Sequence, residues 1–163
     1  MKTLGLTLIL AALAGCATAP VEPKRSELVG IIDNYLAAWN AHDATRVASF
    51  FTDDVEYYDA STGEAVHGRD SARVKIVEVF LNAAPDLVWQ RDTVDPIVGR
   101  DAVAFEWTFS GTNTGDWSDG TKATGKKFFI HGATLIRFRQ GKIANQGDYY
   151  DAYGFLKQIG LVQ

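Results

Sequence analysis

Helix-like and strand-like patterns are segregated along this chain, and that order restricts the fold more than any other feature. Apolar residues recur at helical spacing over 26–42, a short helix follows Asp43, and a third helical pattern covers 70–83. Pro85 then ends the helical part, because a proline cannot continue an α-helix. About three helices are therefore predicted before most of the strands begin.

The rest of the chain is rich in β-branched and aromatic residues, which favour strands. The predicted strands are 55–59, 87–98, 102–112, 127–139 and 142–150. A short closing helix is predicted at 153–161. Helices followed by consecutive strands predict an α+β domain, with helices packed on one face of a curved antiparallel sheet and a cone-shaped cavity beneath them.

Composition and charge exclude several classes of function. The chain has 163 residues, 47% of them hydrophobic, and a formal net charge of −4, which suits one globular domain without a basic surface for nucleic acid. Its three histidines are scattered and its single cysteine is far from them, so no metal site is predicted. The sequence also lacks phosphate-binding and dinucleotide-binding glycine motifs, so no cofactor is expected.

The first 25 residues predict export. A charged start precedes an apolar run over 4–14, which is typical of a signal peptide. The run ends in Leu13-Ala14-Gly15-Cys16, which resembles a bacterial lipobox, and Cys16 is the only cysteine of the chain. Cys16 is therefore predicted to become the acylated N-terminus. The alternative is an ordinary secretory signal cleaved after Ala17 or Ala19.

These signals divide the chain into three parts. Residues 1–15 form the predicted lipoprotein signal peptide, 16–25 the lipidated cysteine and a proline-containing tether, and 26–163 the folded domain. The lipid on Cys16 is the only membrane contact that the sequence predicts. Ala17 is not acidic, which favours the periplasmic face of the outer membrane as the location.

Several motifs of the domain resemble one known family. They are Tyr35-Leu36-Ala37-Ala38-Trp39-Asn40-Ala41-His42-Asp43, Phe51-Thr52-Asp53-Asp54-Val55, His67-Gly68-Arg69, Ala123-Thr124-Gly125-Lys126-Lys127, Arg137-Phe138-Arg139-Gln140-Gly141-Lys142-Ile143 and the stretch from Tyr150-Asp151 to Gln158-Ile159-Gly160-Leu161. Over about residues 26–162 the chain resembles the SnoaL-like branch of the nuclear transport factor 2-like superfamily, relatives of polyketide cyclases and ketosteroid isomerases. The resemblance implies a cone-shaped fold, a small hydrophobic or carbonyl-bearing ligand, and a homodimer formed through the sheet.

The resemblance to ketosteroid isomerases assigns roles to Tyr35 and Asp59. The tyrosine would donate a hydrogen bond to a developing enolate, and the aspartate would move the proton. The second donor of those isomerases, a protonated carboxylic acid, corresponds to Thr134, so half of the oxyanion hole is missing. The structural alternative is that Tyr35 packs in the core and Asp59 begins a turn.

The resemblance to SnoaL-like cyclases singles out Asp148 as an acid/base residue. Such cyclases commonly carry His-Trp-Asp where this chain has Gln146-Gly147-Asp148, so only the aspartate is kept. Strand alternation places Gln146 and Asp148 on one face and Asp151 on the other. Asp148 is therefore the stronger catalytic candidate, and a hydrogen-bonded structural carboxylate is the alternative.

Aromatic and polar residues on the predicted inner faces form a candidate ligand pocket. The predicted set is Trp39, Tyr57, Trp107, Phe128, Thr134 and Gln146. The loop 112–124, which carries Trp117, is interpreted either as a lid or as a solvated hairpin connection. His131 has the opposite strand parity to Thr134 and is predicted on the outer face of the sheet.

Two functions stay open at the level of sequence. The first is ligand binding with cofactor-free isomerisation or cyclisation by Asp148, Asp59 and Tyr35. The second is a non-catalytic binding or scaffold domain of the cell envelope, which the missing His-Trp pair and the neutral Thr134 favour.

Overall fold

The computed structural model describes residues 25–92 and 95–163. The predicted signal peptide, Cys16 and nearly all of the tether lie outside the described residues. Within the described ranges, no helix is long and apolar enough to cross a membrane.

The residues that the structure describes form five α-helices. They are α1 (Arg25–Asn40), α2 (Ala44–Ala48), α3 (Arg69–Ala72), α4 (Glu78–Ala83) and α5 (Ala152–Gln158). A π-helical segment, Arg73–Val77, joins α3 to α4, so the third predicted helix is one continuous stretch with a widened turn. The carboxylate of Asp43 accepts a hydrogen bond from the Arg46 amide and caps α2, and Asp151 caps α5 in the same way through the Gly154 amide.

Seven strands of the described ranges form one open sheet. They are β1 (Phe51–Asp59), β2 (Ala65–His67), β3 (Val88–Arg91), β4 (Ile97–Val98), β5 (Ala102–Thr112), β6 (Lys127–Arg139) and β7 (Lys142–Tyr150). Their order is β2-β1-β7-β6-β5-β3, with β4 paired to β5. The predicted α+β class is confirmed, and the last three predicted strands have the observed bounds of β5, β6 and β7.

Two details of the sheet differ from the sequence expectation. Strand β1 runs parallel to β7, whereas the other pairs are antiparallel. A parallel pair needs a long crossover, which the chain between β1 and β7 supplies. The stretch 87–98 contains two short strands, β3 and β4, because Pro96 has no amide hydrogen with which to continue a ladder.

The core lies between α1 and the inner face of the sheet. Helix α1 buries an apolar face, namely Leu28, Ile32, Tyr35, Leu36, Ala38 and Trp39. Trp39 meets Trp89 of β3 edge to face, with the ring centroids 5.3 Å apart. Complete burial of one large apolar side chain contributes about 1.5–3 kcal/mol, so this layer supplies much of the stability of the domain.

The strand register places three polar residues side by side within this core. Asp59, the last residue of β1, lies opposite Asp148 of β7. On the other side of β7, Thr134 of β6 also lies opposite Asp148. Residues that are distant in sequence therefore meet on three neighbouring strands.

Candidate active site

Asp148 is the centre of a buried hydrogen-bond network. Its side chain is only 4% exposed. The Tyr57 hydroxyl donates to its Oδ2 atom at 2.6 Å, and the Thr134 hydroxyl donates to its Oδ1 atom at 2.6 Å. The Gln146 amide lies 3.0 Å from Oδ2 and 3.2 Å from Oδ1. Both carboxylate oxygens therefore already accept hydrogen bonds from the protein.

The direction of the Thr134 hydrogen bond follows from its second partner. Trp107 Nε1 lies 2.7 Å from Thr134 Oγ1. An indole nitrogen can only donate, so the Thr134 hydroxyl accepts from Trp107 and its own proton points to Asp148. Trp107 and Thr134 thus hold a fixed donor against the Oδ1 atom of Asp148.

Asp59 is equally buried but is held differently. It is also 4% exposed. Its Oδ1 atom accepts hydrogen bonds from the Ser61 amide at 2.9 Å, the Ser61 hydroxyl at 2.5 Å and the Tyr150 hydroxyl at 2.8 Å. Among the described residues, no group donates to the other oxygen, Oδ2. One carboxylate oxygen of Asp59 is therefore available to a ligand.

These surroundings change the acidity of both carboxyl groups. Burial, reinforced by the negative charge of Asp59, raises the pKa of Asp148 from 3.8 to about 7, although the donors Thr134, Tyr57 and Gln146 oppose the shift. Burial also raises the pKa of Asp59, against the opposing hydrogen bonds from Ser61 and Tyr150. Because the two groups act on each other, one is favoured in the neutral state while the other is ionised.

Both carboxyl groups line one small cavity with Tyr57 and Tyr150. Apolar and aromatic side chains complete its wall, namely Trp39, Phe80, Trp89, Trp107, Phe109 and Ile130. The cavity volume is about 20 Å³, which is room for roughly one water molecule. A ligand larger than water therefore needs a side chain of this wall to move.

Phe80 separates this cavity from a larger outer pocket. The outer pocket has a volume of about 250 Å³, and Phe80 lines both spaces. Phe80 packs edge-on against Trp117 at 6.0 Å, and Trp117 packs against Phe155 of α5 at 6.1 Å. The loop 112–124 connects strands β5 and β6, and its Trp117 side chain lines the outer pocket.

The structure separates the predicted site residues into three groups. Asp148, Asp59, Trp39, Tyr57 and Trp107 line the cavity. Thr134 and Gln146 lie against Asp148 and hold it. Phe128 instead stacks on Phe109 and packs against Phe155.

Tyr35 lies in the core and is not part of the cavity wall. Its ring packs edge-on against Trp39, Phe51 and Trp89. Its hydroxyl is buried and has no hydrogen-bond partner within the part of the chain that the structure describes. Burial and the charge of Asp148 raise the pKa of Tyr35, so it stays protonated. The structure thus does not bring Tyr35 into the cavity beside Asp59.

Two site residues were missed by the sequence analysis. Tyr150 follows Asp148 at strand spacing, so alternation alone places it on the same face. Ser61 stands two residues after Asp59, which is the spacing of a turn stabilised by an aspartate side chain.

His131, in contrast, is exposed on the outer face, as its parity predicts. Among the residues described by the structure, no cluster of three or more His, Cys, Asp or Glu side chains is arranged to hold a metal ion.

Comparison with known families identifies the class of this domain. The family described as SnoaL-like polyketide cyclase matches residues 30–159. That match covers most of the chain, so the protein belongs to the SnoaL-like polyketide cyclase family. None of the curated proteins compared with the chain matches it.

Solved structures agree with this assignment. AclR from Streptomyces galilaeus is 25% identical, with a TM-score of 0.71 over 85% of this chain and 84% of AclR. TsrD from Streptomyces laurentii is 22% identical, with a TM-score of 0.72 over 86% of this chain and all of TsrD. A SnoaL-like protein from Jannaschia is 16% identical, with a TM-score of 0.73 over 91% of this chain and 100% of the other. The last two likenesses concern the fold alone.

Proposed function

We propose that this protein binds a small, hydrophobic carbonyl compound and moves a proton on the carbon next to the carbonyl group. The observation that carries the proposal is the pair of buried carboxyl groups, Asp59 and Asp148, in one apolar cavity. Two carboxyl groups with different surroundings can serve as base and acid at the same pH. Family membership supports small-molecule binding of this kind.

Asp59 is the proposed base. A base needs an unoccupied lone pair that faces the ligand, and Oδ2 of Asp59 accepts no hydrogen bond from the described residues. Both oxygens of Asp148 are occupied, and its pKa of about 7 keeps it largely neutral at mildly acidic pH. Asp148 is therefore the proposed acid. The resemblance to ketosteroid isomerases places a carboxylic acid at position 134, where this chain has Thr134. Asp148 lies opposite Thr134 on the neighbouring strand and would supply that carboxylic acid instead.

The proposed reaction begins with proton transfer from carbon to Asp59. The electron pair of the C–H bond moves toward the carbonyl oxygen, and hydrogen bonds from the acid side of the cavity stabilise the resulting enolate. If Asp59 returns the proton to a different carbon, the ligand is isomerised. If the enolate carbon attacks a second carbonyl carbon of the same ligand, a carbon–carbon bond closes the ring, the π electron pair of that carbonyl moves to its oxygen, and the new alkoxide takes up the proton that Asp59 removed.

Hydrogen–deuterium exchange tests this proposal without knowledge of the natural substrate. Wild-type protein should accelerate exchange of the protons next to the carbonyl of 3-cyclohexenone in deuterated water, followed by proton NMR, by about 10²-fold or more. Asp59→Asn and Asp148→Asn should each abolish most of this acceleration. Asp70→Asn, which changes an exposed carboxylate, is the matched control and should retain it. A wild-type rate equal to that of the double Asn variant would contradict the proposal.

The small cavity volume favours a second candidate function. Because the inner cavity holds about one water molecule, the domain is also suited to a non-catalytic role in which only the outer pocket or the sheet face is used. The exchange experiment separates the candidates, because a scaffold domain would show no dependence on Asp59 or Asp148.

We further propose that the chain is exported, acylated on Cys16 and anchored at the periplasmic face of the outer membrane. The lipobox-like sequence Leu13-Ala14-Gly15-Cys16 supports this. Incorporation of an alkyne-labelled fatty acid by wild type and its loss in Cys16→Ser would support acylation. Recovery of wild type in the soluble fraction would contradict it. Separation of inner and outer membranes on a density gradient tests the location.

A homodimer through the outer face of the sheet is part of the same proposal. This face exposes large apolar side chains, with Phe129, Leu135 and Tyr149 at 54%, 50% and 51% exposure. An exposed apolar patch of this kind is typical of a protein interface. Analytical ultracentrifugation should give a dimer mass for wild type and a monomer mass for Leu135→Glu. A monomeric wild type at micromolar concentration would contradict the dimer.

A further inference from the structure

Tyr57 lines the cavity beside Asp148. Its ring lines the cavity, its side chain is 1% exposed, and its hydroxyl lies 2.6 Å from Asp148 Oδ2. Burial and the adjacent Asp148 raise the pKa of Tyr57, so the hydroxyl keeps its proton. Tyr57 is therefore a permanent donor next to a carboxyl group that can change its charge.

The hydrogen-bond donors around Asp148 determine where its proton goes. The hydroxyl of Thr134 points permanently at Oδ1, because Trp107 occupies the acceptor side of that hydroxyl. The Gln146 amide nitrogen can only donate as well. Tyr57 is the one neighbour in this network whose hydroxyl can either donate or accept. A neutral Asp148 thus carries its proton on Oδ2 and donates it to the Tyr57 oxygen.

Reversal of this hydrogen bond frees the Tyr57 O–H group to donate to another acceptor. When Asp148 is ionised, the Tyr57 hydroxyl donates to it and is occupied. When Asp148 is neutral, the Tyr57 oxygen accepts and its hydrogen must find another acceptor. The hydroxyl of Tyr35 and Oε1 of Gln146 are buried near this network without hydrogen-bond partners among the described residues, so this part of the core holds unused acceptors. A ligand oxygen in the cavity is the acceptor that catalysis needs.

We propose that Tyr57 is a catalytic residue whose hydroxyl, released when Asp148 is neutral, donates a hydrogen bond to the carbonyl oxygen of the ligand. This inference rests on the proposed function and names the group that contacts the reacting oxygen. Asp59 takes the proton from carbon, the electron pair moves to the oxygen, and Tyr57 stabilises the negative charge without giving up its proton. Asp148 acts as the acid of the pair through Tyr57: it keeps its own proton and holds Tyr57 in the donating orientation.

The direction of the hydrogen bond between Tyr57 and Asp148 depends on all titratable groups that act on Asp148. These are Tyr57 and Asp59 on β1, Tyr35 on α1 and Tyr150 on β7. The three tyrosines stay neutral because burial raises the pKa of each of them. Asp59 is thus the group among these four that can carry a negative charge beside Asp148, although burial raises its pKa as well.

A pair of fluorinated probes tests the role of Tyr57. A phenol is a stable enol, so 4-fluorophenol places a hydroxyl where the enol oxygen would lie, and fluorobenzene is the same ring without the oxygen. Fluorine NMR titrations at pH 6 should show that wild type binds 4-fluorophenol about tenfold or more tightly than fluorobenzene. Tyr57→Phe should remove this preference while it leaves fluorobenzene binding unchanged. Tyr153→Phe, at an exposed tyrosine, is the matched control and should keep the preference.

Two outcomes distinguish failure of this inference from failure of the proposed function. If Asp148→Asn removes the preference for the phenol but Tyr57→Phe keeps it, the role of Tyr57 is overturned and the proposed site stands. If wild type itself shows no preference, the proposed function is overturned together with the inference. Circular dichroism melts of each variant check that loss of preference is not loss of folding.

Discussion

The two sides of the cavity are buried to the same degree but are built from opposite chemistry. On the side of α1, β3 and β5, tryptophan and phenylalanine rings meet edge to face, as in the contacts of Trp89 with Trp107 at 5.8 Å and with Phe109 at 6.0 Å. On the side of β1 and β7, the interior holds Asp59 and Asp148, each 4% exposed. The aromatic side gains stability from burial, whereas burial of the carboxyl groups costs stability whenever they are ionised.

Trp107 connects the two sides. Among the described residues, the buried indole nitrogens of Trp39 and Trp89 have no hydrogen-bond partner, whereas that of Trp107 donates to Thr134. Trp107 thus packs as an aromatic core residue and also orients the donor that holds Asp148. The apolar half of the interior therefore also positions the polar half.

The largest expected effect concerns the aromatic side. Trp89→Ala should lower the free energy of unfolding by about 3–5 kcal/mol, because it removes a ring that contacts Tyr35, Trp39, Trp107 and Phe109 and leaves a cavity. Urea denaturation measures this. Val88→Ala, at a neighbouring residue that is 47% exposed, should cost about 0.5 kcal/mol. A loss below 1 kcal/mol for Trp89→Ala would contradict the view that the aromatic side supplies the stability.

The next effect concerns the pH dependence of stability on the polar side. The pKa of Asp148 rises from 3.8 in the unfolded chain to about 7 in the folded protein. The fold therefore favours the neutral form, and the contribution of Asp148 to stability is fully present below pH 3.8 and is lost as the pH rises to about 7. Roughly three pKa units correspond to about 4 kcal/mol.

Asp148→Asn isolates this contribution. Between pH 4 and pH 8, the free energy of unfolding should decrease by about 4 kcal/mol less in the variant than in wild type. Urea denaturation at several pH values measures this difference. Carboxylates such as Asp54 and Asp86, whose pKa values are lowered by hydrogen bonds, contribute equally to both proteins and cancel in the difference. Identical pH profiles for the two proteins would contradict the raised pKa of Asp148.

Thr134→Val tests the connection between the two sides. The substitution keeps the shape of the side chain but removes the hydroxyl, so Trp107 Nε1 and Asp148 Oδ1 each lose a partner. We expect a loss of about 1–3 kcal/mol in the free energy of unfolding and a further rise of the Asp148 pKa. Thr108→Val, at the position of β5 that pairs with the outward-facing His131, is the control. A lower pKa of Asp148 in Thr134→Val would show that the hydroxyl does not stabilise the carboxylate.

The smallest effect is expected at the turn after β1. Ser61→Ala removes the hydroxyl donor to Asp59 but keeps the donor from the Ser61 amide. The free energy of unfolding should fall by about 1 kcal/mol, and the pKa of Asp59 should rise further because one stabilising hydrogen bond is lost. Carboxyl NMR shifts of the variant measure the second effect. An unchanged pKa of Asp59 would show that the Ser61 amide and the Tyr150 hydroxyl hold the carboxylate without the Ser61 hydroxyl.

Local patterns in the sequence predicted the parts of the fold that depend on near neighbours. The bounds of β5, β6 and β7 follow from apolar alternation and from glycine turns between consecutive antiparallel strands. The proximity of Asp59 and Asp148 was not predicted in this way, because it depends on the parallel pairing of β1 with β7, whose residues are far apart in sequence. No local pattern encodes that register.

The role of Tyr35 could not be read from spacing either. The helical pattern places Tyr35 on the buried face of α1, and the structure confirms its burial. Whether a buried tyrosine faces a cavity or another ring depends on the packing of α1 against the sheet, and here Trp39 and Trp89 surround it. Tyr57, two residues before Asp59 on β1, instead reaches the cavity.

The central claim is that Asp148 and Asp59 hold different charges in the same cavity. Carbon-13 NMR of protein labelled at the aspartate carboxyl carbons measures both pKa values directly, with Asp59→Asn and Asp148→Asn to assign the signals. We expect Asp148 to titrate near pH 7 and Asp59 at lower pH. Asp59→Asn should lower the pKa of Asp148, because a neighbouring negative charge is removed. If both carboxyl groups titrate together near their ordinary pKa of 3.8, the account is contradicted.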